Sequence, residues 1–214
     1  MIRQAIEQGA RESGLDITDR SLDLFEVFVA ELIKWNSKVN LTAITGNNDI
    51  AAKHIIDSLF MARFVGNSER VLDIGSGAGL PAIPLKIVKP GTDIVSVDAI
   101  GKKINFQRHI SRLFKFHSFE ALHTRIEDLL KSRAGNFEVI TSRAFSSLAQ
   151  FTYLAAPLLA PGGRIIAMKG PAAVEEMSEA EDALKSLNFE ISKVYPYDLP
   201  FNCGTRHIIF ITGC

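Results

Sequence analysis

The order of apolar runs in this 214-residue chain predicts an α/β fold: a doubly wound sheet, mostly parallel with one antiparallel strand, beside a helical lobe. Three observations carry that expectation. From residue 66 onward, short apolar runs alternate with helix-period stretches. The last two apolar runs have no helical stretch between them, so they are expected to pair antiparallel. The first 65 residues read as helices only, which divides the chain into a lobe at 1–65 and an α/β domain at 66–214.

In the lobe, Thr18 is placed to cap a helix in which Leu22, Phe25, Phe28, Leu32 and Trp35 recur every three or four positions. The stretch NLTAITGNN breaks the pattern, and Asp49 is expected to cap a second helix running through HIIDSLFMARF. Five buried parallel strands follow: RVLDIG, TDIVSVD, FEALHT, FEVITSRA and RIIAMKG. Helices are expected between them around LPAIPLKIV, KINFQRHISRLF, IEDLLKS and SLAQFTYLAAPLL. The runs FEISKVYPYDL and TRHIIFIT complete the sheet as a hairpin.

Composition narrows the class. The chain is 47% hydrophobic with a formal net charge of zero, as suits a soluble globular protein. No apolar run approaches a membrane span, and the opening MIRQAIEQGARESG lacks the apolar middle of a signal peptide. Cys203 and Cys214 have neither metal-ligand spacing nor a nearby cysteine, so no metal site is expected and a reducing cytoplasm is the simplest location. Nothing demands more than a monomer. The charge is unevenly spread: Lys102, Lys103, Arg108, Arg112 and Lys115 lie within residues 99–119, where there is no acid. Such a patch suits phosphate contact but is small for gripping naked nucleic acid alone.

The stretch VLDIGSGAGLPAIPL, at the first strand-to-helix turn, carries the chemistry. Gly75, Gly77 and Gly79 permit positive φ and let backbone N–H groups approach a ligand closely. A dinucleotide fingerprint needs its third glycine where Leu80 stands, and a P-loop needs Gly-Lys-Ser/Thr, which does not follow. Asp73-x-Gly-x-Gly-x-Gly79 instead resembles the first motif of class I (Rossmann-like) S-adenosylmethionine-dependent methyltransferases. A carboxylate near the start of that loop suits the cofactor's cationic amino group. Pro81 and Pro84 fall in the first turn of the helix, where missing N–H groups cost nothing. Asp98 ends the second strand, where its carboxylate can accept from both ribose hydroxyls or, alternatively, cap a helix.

Further stretches join this one in a fixed order: WNSKVNLTAI (35–44), HIIDSL (54–59), DIGSGAGLPAIPL (73–85), DAIGKK (98–103), SRAFSSL (142–148) and MKG (168–170). Together they resemble the bacterial glucose-inhibited division protein B family, also called RsmG, whose members methylate N7 of one guanine in small-subunit ribosomal RNA. The likeness runs from about residue 20 to residue 170. Ala82 stands where many members have Gly, and Asp98-Ala-Ile replaces the commoner Asp-Ser-Leu. The resemblance implies S-adenosylmethionine contacts at Gly75, Gly77, Leu80, Asp98, Ala99, Ile100, Ile126 and Glu127, with Arg143 beside the cofactor. It also implies 16S rRNA, within the small ribosomal subunit, as partner.

Guanine N7 has an in-plane lone pair, so no general base is needed and the work is alignment and exclusion of water. Arg143 and Lys169 are the candidates at the reaction edge, through guanine O6, a phosphate or the cofactor carboxylate. Salt bridges to nearby carboxylates are the structural alternative for both. Lys34, Lys38, Lys102, Lys103, Arg108 and Arg112 are the candidate RNA-facing cations, and Trp35 is read as core. His54 and Asp57 read as a structural pair joining lobe to sheet. Three rivals stay open at this level: a methyltransferase for protein or small molecules, an NAD-binding oxidoreductase, and a non-catalytic RNA-binding module.

Overall fold

The computed structural model describes residues 1–143, 145 and 147–214. Helices α1 (Ile2–Glu12), α2 (Asp19–Val39), α3 (Asn47–Ile50) and α4 (Asp57–Ala62) precede the sheet, with a π-helical turn, Ala51–Ile56, between the last two. Thr18 caps α2 as its sequence position predicts, accepting from the Ser21 N–H at 3.2 Å. Leu22, Phe25, Phe28 and Leu32 of its apolar stripe are buried, and Trp35 packs edge-on to Phe106. Removing a ring such as Phe28 costs about 3–5 kcal/mol.

Asp49 does not cap the next helix. Gly46 does, because its extended backbone lets its carbonyl accept the Ile50 N–H at 2.8 Å. Asp49 sits inside the first turn and pairs with Lys53 at 2.6 Å. In the π turn the Asp57 N–H donates to the Ala52 carbonyl, five residues back. Where the register returns to four residues, one carbonyl is passed over.

The sheet comprises β1 (Arg70–Ile74), β2 (Asp93–Asp98), β3 (Phe119–His123), β4 (Phe137–Ser142), β5 (Leu159–Lys169), β6 (Phe189–Asp198) and β7 (Thr205–Gly213). Their spatial order is β3-β2-β1-β4-β5-β7-β6. The first five run parallel, and β7 lies antiparallel between β5 and β6, the one reversed strand. Crossovers α5 (Ala82–Val88), α6 (Gly101–Leu113), α7 (Ile126–Arg133) and α8 (Leu148–Ala155) fall where the sequence places helices. Pro157, lacking an N–H, ends α8 early in a 3-10 turn at Ala156–Leu158, so β5 starts at Leu159, five residues before expectation. Helix α9 (Ala173–Ser186), between β5 and β6, is an element that the apolar-run reading missed.

Side chains alternate cleanly across the sheet. Val71, Val139, Ile166, Ile208 and Phe210 face the lobe helices with α5 and α6, in one continuous apolar cluster. Leu72, Ile140, Ile165, Ile209 and Ile211 face α7, α8 and α9. Arg164 pins the end of the lobe to the sheet: its guanidinium forks onto Glu69 at 2.8 and 2.9 Å and reaches the Phe64 carbonyl at 2.6 Å.

Candidate functional site

The chain reverses its direction of travel across the sheet between β1 and β4, and in such sheets the crevice opens at the carboxyl ends of those strands. A cavity of about 460 Å³ lies there, lined by Gly75, Asp98, Ala99, Ile100, Ile126 and Glu127, among others. Strand ends deliver all six. β1 supplies the glycine turn, β2 ends in Asp98, and α7, which follows β3, begins with Ile126 and Glu127.

Gly75, Gly77 and Gly79 take φ of +68°, +59° and +82°, the left-handed region that side chains resist. The turn is held from beneath and behind. Gly75 and Ser76 N–H groups donate to the Val97 carbonyl at 2.9 and 3.1 Å, stitching the loop to β2. Asp98 is almost fully buried; its Oδ2 accepts from Gly77 N–H at 2.9 Å and its Oδ1 from Ile100 N–H at 2.8 Å. A carboxylate offers about four acceptor positions, so each oxygen keeps one for a ligand hydroxyl. Asp98 thus closes the loop, leads into α6 and still presents acceptors to the crevice.

Asp73 occupies a different place from that implied by an ammonium contact. It is completely buried under the loop, Oδ2 accepting from Ala82 N–H at 3.2 Å and Oδ1 having no partner among the described residues. Burial pushes its carboxyl up to about 7, against the lowering effects of that hydrogen bond and of Arg143. Leu80 packs into the lobe-side core and is not among the residues lining the crevice. Lys103 and Phe145 also line the crevice.

Gln107 is a support that sequence reasoning missed. Fully buried on α6, it donates from Nε2 to Ser76 Oγ at 2.8 Å and the Gly77 carbonyl at 2.9 Å, and accepts from Ser96 Oγ at 2.6 Å. One amide therefore ties the loop to β2 and α6. Its only signal in the sequence is a polar residue between apolar Phe106 and Ile110 on a core-facing helix.

Arg143 follows β4 and joins lobe to sheet. Its Nη1 donates to the Lys53 carbonyl at 2.7 Å, at the π turn's register step, and lies 3.4 Å from Asp57 Oδ2. Among the described residues, Nε and Nη2 of Arg143 have no acceptor. Asp57 also accepts the Tyr197 hydroxyl at 2.7 Å; burial pushes its carboxyl up, while Arg143 and Tyr197 oppose the rise. His54 and Asp57 do not bond to each other. His54 Nε2 meets Thr42 Oγ1 at 3.0 Å, and burial with the Arg143 charge pushes its imidazole down to about 4, so it is neutral. Lys169 is satisfied within the protein, by Glu176 at 2.6 Å and the Phe145 carbonyl at 2.9 Å.

The candidate RNA-facing cations divide. Among the described residues, Lys38, Lys102 and Arg112 are exposed without partners, while Lys34 pairs with Glu31 and Arg108 donates to the Ala121 carbonyl of β3. Helices α2 and α6 pack together through Trp35, Phe106 and His109, and His109 meets Glu31 at 2.7 Å.

The sheet order, the glycine turn and Asp98 at the end of β2 define a class I methyltransferase architecture. A solved structure titled TYW2 from M. jannaschii, in complex with AdoMet, has this fold: TM-score 0.59, 13% identity, 74% of each chain covered. A model of the family described as rRNA small subunit methyltransferase G matches residues 21–208, and the chain belongs to that family. "Ribosomal RNA small subunit methyltransferase G" of Geobacter sulfurreducens is 46% identical over 98% of this chain and 96% of its own. The protein of that name from Streptococcus agalactiae is 36% identical over 99% of this chain and 91% of its own. The membership sets aside the oxidoreductase reading.

Proposed function

We propose that this protein, acting as a cytoplasmic monomer, transfers the methyl group of S-adenosylmethionine to N7 of one guanine in 16S RNA of the small ribosomal subunit. The observation that carries the reading is the crevice, where Asp98 presents acceptor oxygens beside a glycine turn. Among the described residues, and apart from the glycine's own chain neighbours, no heavy atom lies within 4 Å of a Cβ built on Gly75 or Gly77, so the space beside the loop fits a ligand's backbone-close approach. Asp98 would hold the ribose hydroxyls, Ala99 and Ile100 the neighbouring sugar and base, and Ile126 with Glu127 the adenine edge. When bound, the cofactor supplies an electrophilic sulfonium methyl.

What remains is positioning. The guanine lone pair attacks without prior deprotonation, so the carboxylates that line the crevice, Asp98 and Glu127, are needed to hold the cofactor and not to take a proton. Neutral His54 and sealed Asp73 are placed to support, not to accept a proton. Arg143, anchored through one nitrogen, keeps donors for guanine O6 or a phosphate. Lys169 acts at one remove, bracing Phe145 of the crevice wall. Lys38, Lys102, Lys103 and Arg112, with Lys34 and Arg108 beside them, form the rim toward RNA. So modest a rim fits a substrate whose shape is held by a ribosomal particle.

The test uses small subunits from cells lacking the endogenous enzyme, methyl-labelled S-adenosylmethionine and cleavage at N7-methylguanine. One labelled guanine in 16S RNA is expected. Label in protein, or in no macromolecule despite cofactor binding, refutes the assignment.

A further inference from the structure

A second cavity, about 230 Å³, lies where the lobe meets the sheet, lined by Lys53, Asp57, Arg143, Lys169 and Arg206 with three uncharged residues. Four cations thus face one carboxylate. Asp57 is already engaged by Tyr197 and Arg143. Lys53 and Lys169 lean on Asp49 and Glu176, neither of which lines the cavity. Arg206 has no carboxylate partner among the described residues, only the Thr205 carbonyl at 3.0 Å.

The fold forces this convergence. Arg206 lies directly opposite Tyr197 across the β6–β7 ladder, and on β7 it shares the lobe-facing side with Ile208 and Phe210. It is half-buried, and its charge is felt by Lys53, Asp57, Tyr197 and Cys203. Lys53 comes from the π turn, whose extra residue advances its side chain around the helix. Like charges brought together at a half-buried site repel unless an anion joins them. The cavity also adjoins the methyl-donor crevice: Arg143 lines one, Phe145 lines the other, and Lys169 bonds to Phe145.

We propose that Lys53 and Arg206 seat a phosphate of the RNA strand next to the guanine being methylated, fixing the strand's register across the crevice. Arg206 offers a planar fork and Lys53 a movable point charge. The site rests on the RNA reading above and deepens it.

The experiment compares wild type, Arg206→Gln, Lys53→Gln, the double variant and Arg206→Lys, with small subunits as substrate and inorganic phosphate as competing probe. Each Gln variant is expected to raise KM for the particle about tenfold at physiological salt. Each is also expected to flatten the slope of log affinity against log salt by about 0.7 to 1. The Kd for S-adenosylmethionine by calorimetry should stay at the wild-type value, and Arg206→Lys, which keeps the charge without the fork, should restore the salt slope and only part of the affinity. Unchanged KM and salt slope in the double variant would overturn the proposal while wild-type methylation keeps the functional reading intact. A weakened cofactor Kd would move these residues to the other cavity and overturn it too. So would altered inhibition by inorganic phosphate with unchanged particle KM, which marks a free-anion site. Failure of the wild type to methylate the particle removes both readings together.

Discussion

Alanine at Gly75 and at Gly79 should damage the protein in different ways, although both glycines serve one turn. A left-handed φ costs a side-chain-bearing residue about 1–2 kcal/mol. At Gly75 a new Cβ meets nothing within 4 Å among the described residues beyond its chain neighbours, so strain is the whole cost to folding. At Gly79 it would strike Ile83, whose Cγ1 lies 2.8 Å away and which is fully buried, and stand 3.2 Å from Cγ of Gln107. Overpacking adds about 1–3 kcal/mol, for a total of about 2–5. At roughly 2–4 °C per kcal/mol for a chain of this size, Gly75→Ala should lower Tm by about 2–8 °C and Gly79→Ala by about 4–20 °C. Ligand binding should invert the order of specificity. Gly75 lines the crevice, so its alanine variant should lose at least about tenfold (~1.4 kcal/mol) in S-adenosylmethionine affinity while remaining folded. Differential scanning calorimetry and isothermal titration on the same preparations measure both. If Gly79→Ala unfolds no earlier than Gly75→Ala, or Gly75→Ala binds cofactor normally, the account of the turn is wrong.

Tyr197→Phe removes a 2.7 Å donor from buried Asp57 and should cost about 1.5–3 kcal/mol by urea denaturation, with Asp57 titrating still higher. Two buried groups should shape stability against pH in opposite senses. His54, depressed from 6.5 to about 4, contributes stability that is present above 6.5 and lost as pH falls to 4, on the order of 3 kcal/mol. Asp73, raised from 3.8 to about 7, contributes stability that is present below 3.8 and lost as pH rises through 7, by a similar amount. Between 4 and 6.5 the slopes largely cancel. His54→Asn should expose a decline with rising pH, and Asp73→Asn a climb; identical profiles for the two variants would contradict both assignments. Gln107→Ala should loosen the glycine turn and weaken cofactor binding without touching the ligand, read as faster amide exchange at Gly75–Gly77 than in wild type.

Much of this was legible in the sequence because the signals are local. Strand and crossover order follow from apolar runs, since each strand's face must match a helix beside it. The Thr18 cap and the stripe from Leu22 to Leu32 depend on a few neighbours. Asp98 was readable because one strand ends at it, while Ala99, Ile100, Ile126 and Glu127 came from the family resemblance; parallel strands that end on one side of a sheet bring them to one crevice with Gly75. Helix α9 went unread because its stripe is thin, Ala173, Ala180 and Leu184 amid acids, and only tertiary packing stabilises such a face.

Tertiary structure alone decided the rest. That Asp73 lies sealed beneath its loop depends on α5 folding over it, which the motif does not encode. That Lys169 meets Glu176 and Phe145, while Arg143 finds a carbonyl on the π turn 90 residues away, required the lobe, sheet and α9 to be brought together. Lys53 and Arg206 stand 153 residues apart in the chain and converge on one small cavity. Sequence patterns report which face a residue occupies over a few turns or strands. Which distant charges then meet is set by the packing of those faces, and the electrostatics of the site is a sum over such meetings.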